Sequence, residues 1–326
     1  MSLYRRLLAQ AWKNTWAYKY LWFFGLFATF LGSSGELNLM FRSFGDVANQ
    51  GLFPTLHSFW ATGIFSTTAI SNFGNLMLTD SFSLLMALTI LTILAMLFCF
   101  LLWFAVVAQG GLVYNYSRIV ANKSHDLKGG MDLGIKKFWP VFGLNVLLNI
   151  FVYVIFIVLA LPVVLWFTHP SGAQISFFIL AYIIFVPASV IAAFIIKYAI
   201  CYVVIKGAKI VDALKLGWEL FLKDWLVSLE MAFILFGVSF LVTLCVFLLL
   251  SILAIPLIFI AYIALQMASA GLFWLVFFSS MILALLIIVL AGSVLSTFQI
   301  SSWTGLFIEL INKGAVSKIV RIFEKK

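Results

Sequence analysis

Long stretches of this chain contain no charged residue. No Asp, Glu, Lys or Arg occurs in residues 231–308, a run of 78 positions, and similar runs cover 138–196 and 81–117. About 20 consecutive apolar residues already form a helix that crosses a bilayer core of about 30 Å. We therefore predict an all-α fold, a polytopic transmembrane helical bundle with six spans at residues 18–35, 83–109, 141–167, 175–198, 229–255 and 271–298.

Amphipathic segments stand next to the predicted spans. Residues 207–225 place Val211, Trp218 and Trp225 on one helical face and Asp212 and Lys215 on the opposite face, which is typical of a helix at a membrane surface. Residues 4–16 and 131–142 show the same periodicity. We predict a single membrane domain, 1–326, built from three repeats of an interfacial amphipathic helix plus a transmembrane hairpin: 1–120, 121–206 and 207–312, with a basic tail at 313–326. The alternative is that any membrane protein carries basic amphipathic segments beside its spans.

Prolines interrupt the predicted spans at Pro162, Pro187 and Pro256. Broken helices bind substrate in some transporters, but the length of the apolar stretch around Pro256 explains a kink by itself. We expect Pro256 to bend or end the fifth helix at the outer surface. The outer loop, 36–80, is rich in Phe and Leu, and we expect it to lie on the outer leaflet or cover the bundle, with a short helix over 52–61.

The basic residues that produce the net charge of +9 are concentrated in loops and terminal segments on one side of the predicted membrane. Of the 20 basic residues, 18 lie in the N-terminal segment, the second and fourth loops and the C-terminal segment. Cytoplasmic loops retain Lys and Arg, so we predict a multi-pass protein of the plasma (inner) membrane with both termini in the cytoplasm. The alternative is that residues 5–35 form a cleaved signal peptide, which would leave the later topology unchanged. The cations favour anionic lipid headgroups as partners and not nucleic acid, because they are held at the bilayer in four separate segments; no protein partner is indicated.

A family resemblance rests on aromatic-rich segments at the two ends of the chain. These are AWK at 11–13 with KYLWFFGLF at 19–27, and SSWTGLFIEL at 301–310. The chain resembles uncharacterised bacterial six-helix integral membrane proteins, similar in plan to the membrane domain of some glycerophosphodiester phosphodiesterases. The resemblance implies a bacterial membrane protein of undefined activity, and it carries over no catalytic residue.

The search for chemistry finds no catalytic motif. No His-Glu-x-x-His, Gly-x-Ser-x-Gly or phosphate-binding Gly-rich loop is present, and His57, His125 and His169 fall in predicted loops as solvated residues. Three cysteines lie in or at the ends of apolar spans without paired spacing, so we expect no disulfide and no metal site. The sequence therefore favours a protein that is not an enzyme and has no cofactor.

Five polar residues lie in or near the bilayer: Asn145, Asn149, Lys197, Glu230 and Glu309. Ionisable groups at such positions are costly and tend to face the protein interior. They form a candidate polar vestibule open to the cytoplasm, or they simply join helices and snorkel to the interface. The first hypothesis for function is a structural, lipid-organising or accessory membrane protein. The alternative is a small permease or lipid exporter that uses this vestibule.

Overall fold

The structure is a computed structural model, and it describes residues 3–31, 81–165, 172–267 and 270–313. These residues contain eight α-helices and no strand. The predicted outer loop at 36–80 and the basic tail beyond residue 313 lie outside this range, as do His57 and His169. The helices are α1 (Leu3–Ala17), α2 (Tyr20–Ala28), α3 (Ser81–Val120), α4 (Leu127–Lys136), α5 (Phe138–Leu165), α6 (Gly172–Cys201), α7 (Ile210–Gln266) and α8 (Ala270–Lys313).

Five helical segments among the described residues are long and apolar enough to cross a membrane. They are Leu88–Val120, Phe138–Ile155, Ile183–Lys206, Ile210–Gln266 and Gly271–Asn312, and they correspond to the second to sixth predicted spans. For the first predicted span, the structure describes only α2 and a short 3-10 turn, Thr29–Leu31. The 12 residues from 20 to 31 extend about 18 Å as a helix, less than a bilayer core of about 30 Å. The described residues thus form an all-helical, membrane-embedded protein, and the first of the six predicted spans stays a prediction.

The longest helix, α7, contains 57 residues and joins a predicted surface helix to a predicted span. Asp224 has non-helical backbone angles (φ −126°, ψ 34°), and the helix kinks there. Pro256 was expected to bend or end the fifth helix; the helix does not end there, because α7 continues through Pro256 to Gln266, and a bend at Pro256 stays a prediction. A transmembrane helix tolerates proline when neighbouring groups compensate for the lost hydrogen bond, and Pro187 likewise lies inside α6.

The helices divide into two compact units. The smaller unit, residues 34–104, is described from residue 81 onward and consists of the first part of α3. Its large apolar side chains are exposed over residues 88–100, with Phe98 at 66%. The larger unit contains residues 1–33 and 105–326. It includes all the other helices and the second part of α3.

Within the larger unit the long helices contact one another in chain order. Helix α3 reaches α5 through Gln109, α5 packs along α6, α6 meets α7 at Tyr198, and α7 meets α8 at Ser239. Helix α8 then packs along α2, and Phe24 of α2 lies against α3, which closes the circuit. Short connections between neighbouring helices produce such sequential packing.

Buried residues concentrate at one end of these helices. We call this the basic end: α1, α4, the first residues of α7 and the adjoining ends of α3, α6 and α8. The largest fully buried side chains there include Tyr116, Tyr198 and Phe307. The opposite parts of α7 and α8 expose most of their apolar side chains, as Ile255 (70%) and Leu275 (67%) illustrate. Lipid is the solvent that suits such a surface.

Candidate functional site

Helix α1 lies across the basic end and is attached to two of the long helices. The Tyr4 hydroxyl donates a hydrogen bond to a carboxylate oxygen of Glu230 on α7. Two residues later, Arg6 Nη2 lies 2.5 Å from Glu309 Oε1 on α8. Both glutamates of the predicted vestibule therefore hold a partner on the same short helix. Hydrogen-bond donors of this kind offset the cost of removing a carboxylate from water.

Lys197 lies against the aromatic surface of α8. Its Nζ is 4.7 Å from the centre of the Trp303 ring, within the range of a cation–π contact. Trp303 is itself buried and contacts the rings of Phe194 and Tyr198. The lysine thus has an aromatic neighbour on α8.

The two asparagines of the predicted vestibule differ in environment. Asn145 Nδ2 donates to Gln109 Oε1 at 2.8 Å and to its own helix at the carbonyl of Val141. Asn149 is exposed and donates to the carbonyl of Asn145 at 2.9 Å. Asn145 therefore joins α5 to α3, whereas Asn149 is satisfied within α5 on a face turned outward.

Helix α8 carries a set of buried polar residues that the sequence analysis missed. They are Ser293, Ser296, Thr297, Gln299, Ser301, Ser302 and Thr304. Each is a small or neutral side chain within a highly apolar stretch, so a hydropathy average hides it. The spacing of small residues could have indicated this set. They recur every four positions and share one helical face: Ser293, Thr297, Ser301 and Gly305.

Part of this polar set joins α8 to its neighbours. Ser293 donates to the carbonyl of Trp22, and Thr297 donates to the carbonyl of Leu21 at 3.2 Å. A methyl group added at Gly25 of α2 would overlap the side chain of Thr297, which shows how closely the two backbones approach. On another face, Gln299 donates to Ser239 Oγ of α7 at 2.6 Å. Small residues and polar contacts of this kind hold membrane helices together.

Other buried polar groups have no hydrogen-bond partner among the described residues. Both amide atoms of Asn115 on α3 are in this state, as are the hydroxyls of Ser301 and Ser302 and one carboxylate oxygen of Asp224. Asn115, Ser301 and Ser302 are fully buried. An unpaired buried polar group lowers the stability of the fold by about 1–3 kcal/mol. At these positions either water binds inside the basic end, or the fold carries this cost.

His125 does not have the solvated environment that the sequence predicts. It lies in the loop before α4 but is half-buried, with Nδ1 2.8 Å from the Tyr20 hydroxyl and its ring against Tyr18. The histidine therefore joins this loop to the beginning of α2.

No group of three or more His, Cys, Asp or Glu side chains suited to a metal ion occurs among the residues that the structure describes. The fold and this site define a multi-pass helical membrane protein with a polar interior at its basic end. No protein-family model, curated protein or solved structure matches the chain.

Proposed function

We propose that this protein is a non-catalytic membrane protein that organises anionic lipids at the cytoplasmic face of the plasma membrane. One observation carries the proposal: each of the three basic segments that the structure describes in full exposes tryptophan beside lysine. The exposed tryptophans are Trp12 (47%), Trp16 (46%), Trp139 (74%), Trp218 (47%) and Trp225 (51%).

Tryptophan and lysine prefer the same depth in a membrane. The indole ring favours the headgroup level, and cations there attract anionic lipids with about 1 kcal/mol each. Lys13, Lys136 and Lys215 are exposed and lie one to three residues from an exposed tryptophan. The basic end would therefore gather anionic headgroups around the bundle, with both termini on the cytoplasmic side.

The three-repeat architecture belongs to the same proposal. A methyl group added at Gly134 of α4 would overlap the carbonyl oxygen of Val107 on α3, and one added at Gly217 of α7 would lie 2.9 Å from the carbonyl oxygen of Ile195 on α6. Leu7 of α1 lies near Gly305 of α8. Each basic helix thus packs on the end of the span that precedes it in the circuit, which supports a repeated unit. The resemblance to bacterial six-helix membrane proteins stays a prediction.

Spin-labelled lipids test the proposed function. The protein is reconstituted in phosphatidylcholine, and the motionally restricted fraction is compared for labelled phosphatidylglycerol and labelled phosphatidylcholine. We expect a preference for phosphatidylglycerol that weakens when Lys13, Lys136 and Lys215 are replaced by Gln. The same positions replaced by Arg form the matched control and should retain the preference. Equal association of both lipids with the natural protein would refute the proposal.

A small permease is the second candidate, and the unpartnered groups of Asn115, Ser301 and Ser302 favour it. Polar atoms inside a membrane bundle are often part of a hydrated path. The contacts of Glu230 with Tyr4 and of Glu309 with Arg6 argue for a closed bundle. Accessibility to a water-soluble reagent at the five vestibule residues separates the two functions, because a permease exposes the interior positions to water and a closed bundle protects them.

A further inference from the structure

A groove of 330 Å³ lies between α1, α2, α7 and α8 in the larger unit. Every lining residue is apolar or aromatic: Trp12, Trp16, Trp22, Val238, Val242, Leu290, Ala291, Val294, Leu295 and Phe298. None of the five predicted vestibule residues is among them. The volume is at the lower end of the roughly 300–1,000 Å³ that ligand sites occupy.

The aromatic wall of the groove is held in place by specific contacts. The rings of Trp12 and Trp16 are 5.7 Å apart, those of Trp16 and Trp22 are 5.1 Å apart, and Trp12 meets Phe298 at 5.7 Å, all edge to face. Trp22 Nε1 also donates to the carbonyl of Thr15 at 2.8 Å. The wall is thus a packed arrangement of rings, and a ligand would meet it already formed.

The two ends of the groove differ in polarity. From Phe298 to Leu290 it follows α8 for about 12 Å, at 1.5 Å per residue, toward the part of that helix whose apolar side chains are mostly exposed. At the opposite end, the α1 segment exposes cations next to the tryptophans. Lys13 adjoins Trp12, Lys19 lies between Trp16 and Trp22 in the chain, and Arg5 precedes Trp12 by two helical turns and shares its face. An apolar tail with an anionic head matches this gradient.

We infer that the tryptophan groove binds one acyl chain of an anionic phospholipid from the surrounding bilayer, with the headgroup at the α1 end of the groove, in the field of the cations Arg5, Lys13 and Lys19. This inference rests on the proposed lipid-organising function and deepens it by naming a single site. A zwitterionic lipid fits the groove but leaves the cations without a net opposite charge. A second copy of the chain would bring the same cations against one another.

Photolabelling tests the inference on the full-length chain in phosphatidylcholine vesicles. Phosphatidylglycerol with a diazirine in its acyl chain is added as a minor component, and the labelled peptides are mapped by mass spectrometry. We expect label in residues 290–298 and 12–22. Unlabelled phosphatidylglycerol should compete at this site, and an equal excess of phosphatidylcholine should not. Equal competition by the two lipids, or no label at these residues, would overturn the inference.

Groove variants give a second measurement with a matched control. Ala291→Phe places a ring inside the groove, and Ala284→Phe makes the same change two turns away on the same helix, outside the lining. We expect a several-fold loss of label for A291F and no change for A284F. Val242→Phe fills the groove from α7 and replaces A291F as the test variant if A291F does not fold. Unchanged label in both groove variants would refute the site.

Charge variants separate this inference from the wider function. Replacing Arg5, Lys13 and Lys19 with Gln should lower the phosphatidylglycerol preference of the groove by about fivefold per cation. Replacing Lys128, Lys209 and Lys215 removes the same charge elsewhere and should leave the groove label unchanged. Loss of groove label in both triple variants would contradict a local headgroup site. If the protein still prefers phosphatidylglycerol overall but the groove is not labelled, the groove site is refuted and the proposed lipid-organising function is not.

Discussion

Tyr4 and Glu230 are 226 residues apart in the chain, and a hydrogen bond joins them in the fold. The contact fixes α1 to α7 next to the ion pair of Arg6 with Glu309. A short basic helix is thereby held over the ends of two long helices. The predicted vestibule glutamates thus act in the structure as attachment points for α1.

Removing the Tyr4 hydroxyl should destabilise the protein measurably. Tyr4→Phe leaves the half-buried Glu230 carboxylate without this donor, and we expect a loss of about 1–3 kcal/mol in the free energy of unfolding. Reversible unfolding in mixed detergent micelles measures it. In a Glu230→Gln background the same substitution should cost clearly less, and an identical cost in both backgrounds would show that the hydrogen bond contributes nothing.

The neighbouring ion pair should matter less. Arg6 is 51% exposed, and solvent screens the pair, so we expect Arg6→Gln to lower stability by less than about 1 kcal/mol. The same unfolding experiment compares it with Tyr4→Phe, and added salt should reduce the effect of Arg6→Gln further. A larger cost for Arg6→Gln than for Tyr4→Phe would reverse the proposed ranking of the two attachments.

Close backbone contacts should make two glycines sensitive to a single methyl group. Gly134→Ala would force α4 away from the Val107 carbonyl, and Gly217→Ala would bring a methyl group against the Ile195 carbonyl. Each substitution should lower the free energy of unfolding by about 1–3 kcal/mol. Gly237→Ala is the matched control, since nothing lies within 4 Å of a methyl group there and alanine favours the helix. Thermal unfolding of the three variants tests this, and equal midpoints would contradict the packing.

The sequence was sufficient to predict five of the spans but not the side-chain contacts between them. The sequence predicts six spans, and five of them correspond to helices that are long and apolar enough to cross a membrane. These five are predictable because one quantity decides them, the free energy of transferring side chains into lipid. The hydroxyls of Ser301 and Ser302 change that quantity little, so the polar interior of α8 was not recognised. The partner of Glu230 depends on a contact across the whole chain, which no local pattern contains. His125 was placed correctly in a loop, but its tyrosine neighbours were not predicted.

Cysteine accessibility decides between a closed bundle and a polar vestibule. Single cysteines at Asn145, Asn149, Lys197, Glu230 and Glu309 are placed in a chain whose Cys99, Cys201 and Cys245 are replaced. We expect a charged maleimide to react at position 309, next to the exposed Arg6, and to leave positions 145 and 149 unmodified, because one joins helices and the other faces lipid. Reaction at position 145 would favour the permease.

The buried amide of Asn115 gives the sharpest distinction between the two candidate functions. Neither of its side-chain atoms has a hydrogen-bond partner in the described part of the chain, and the residue is fully buried near Gly130 and Phe24. In a closed bundle, Asn115→Leu removes a desolvated polar group of similar size and should raise the unfolding free energy by about 1–3 kcal/mol. Asn115→Asp is the opposing variant and should destabilise, since it buries a charge. If water reaches this position in a permease, Asn115→Leu should lower stability instead, because the apolar side chain would be placed in a hydrated space.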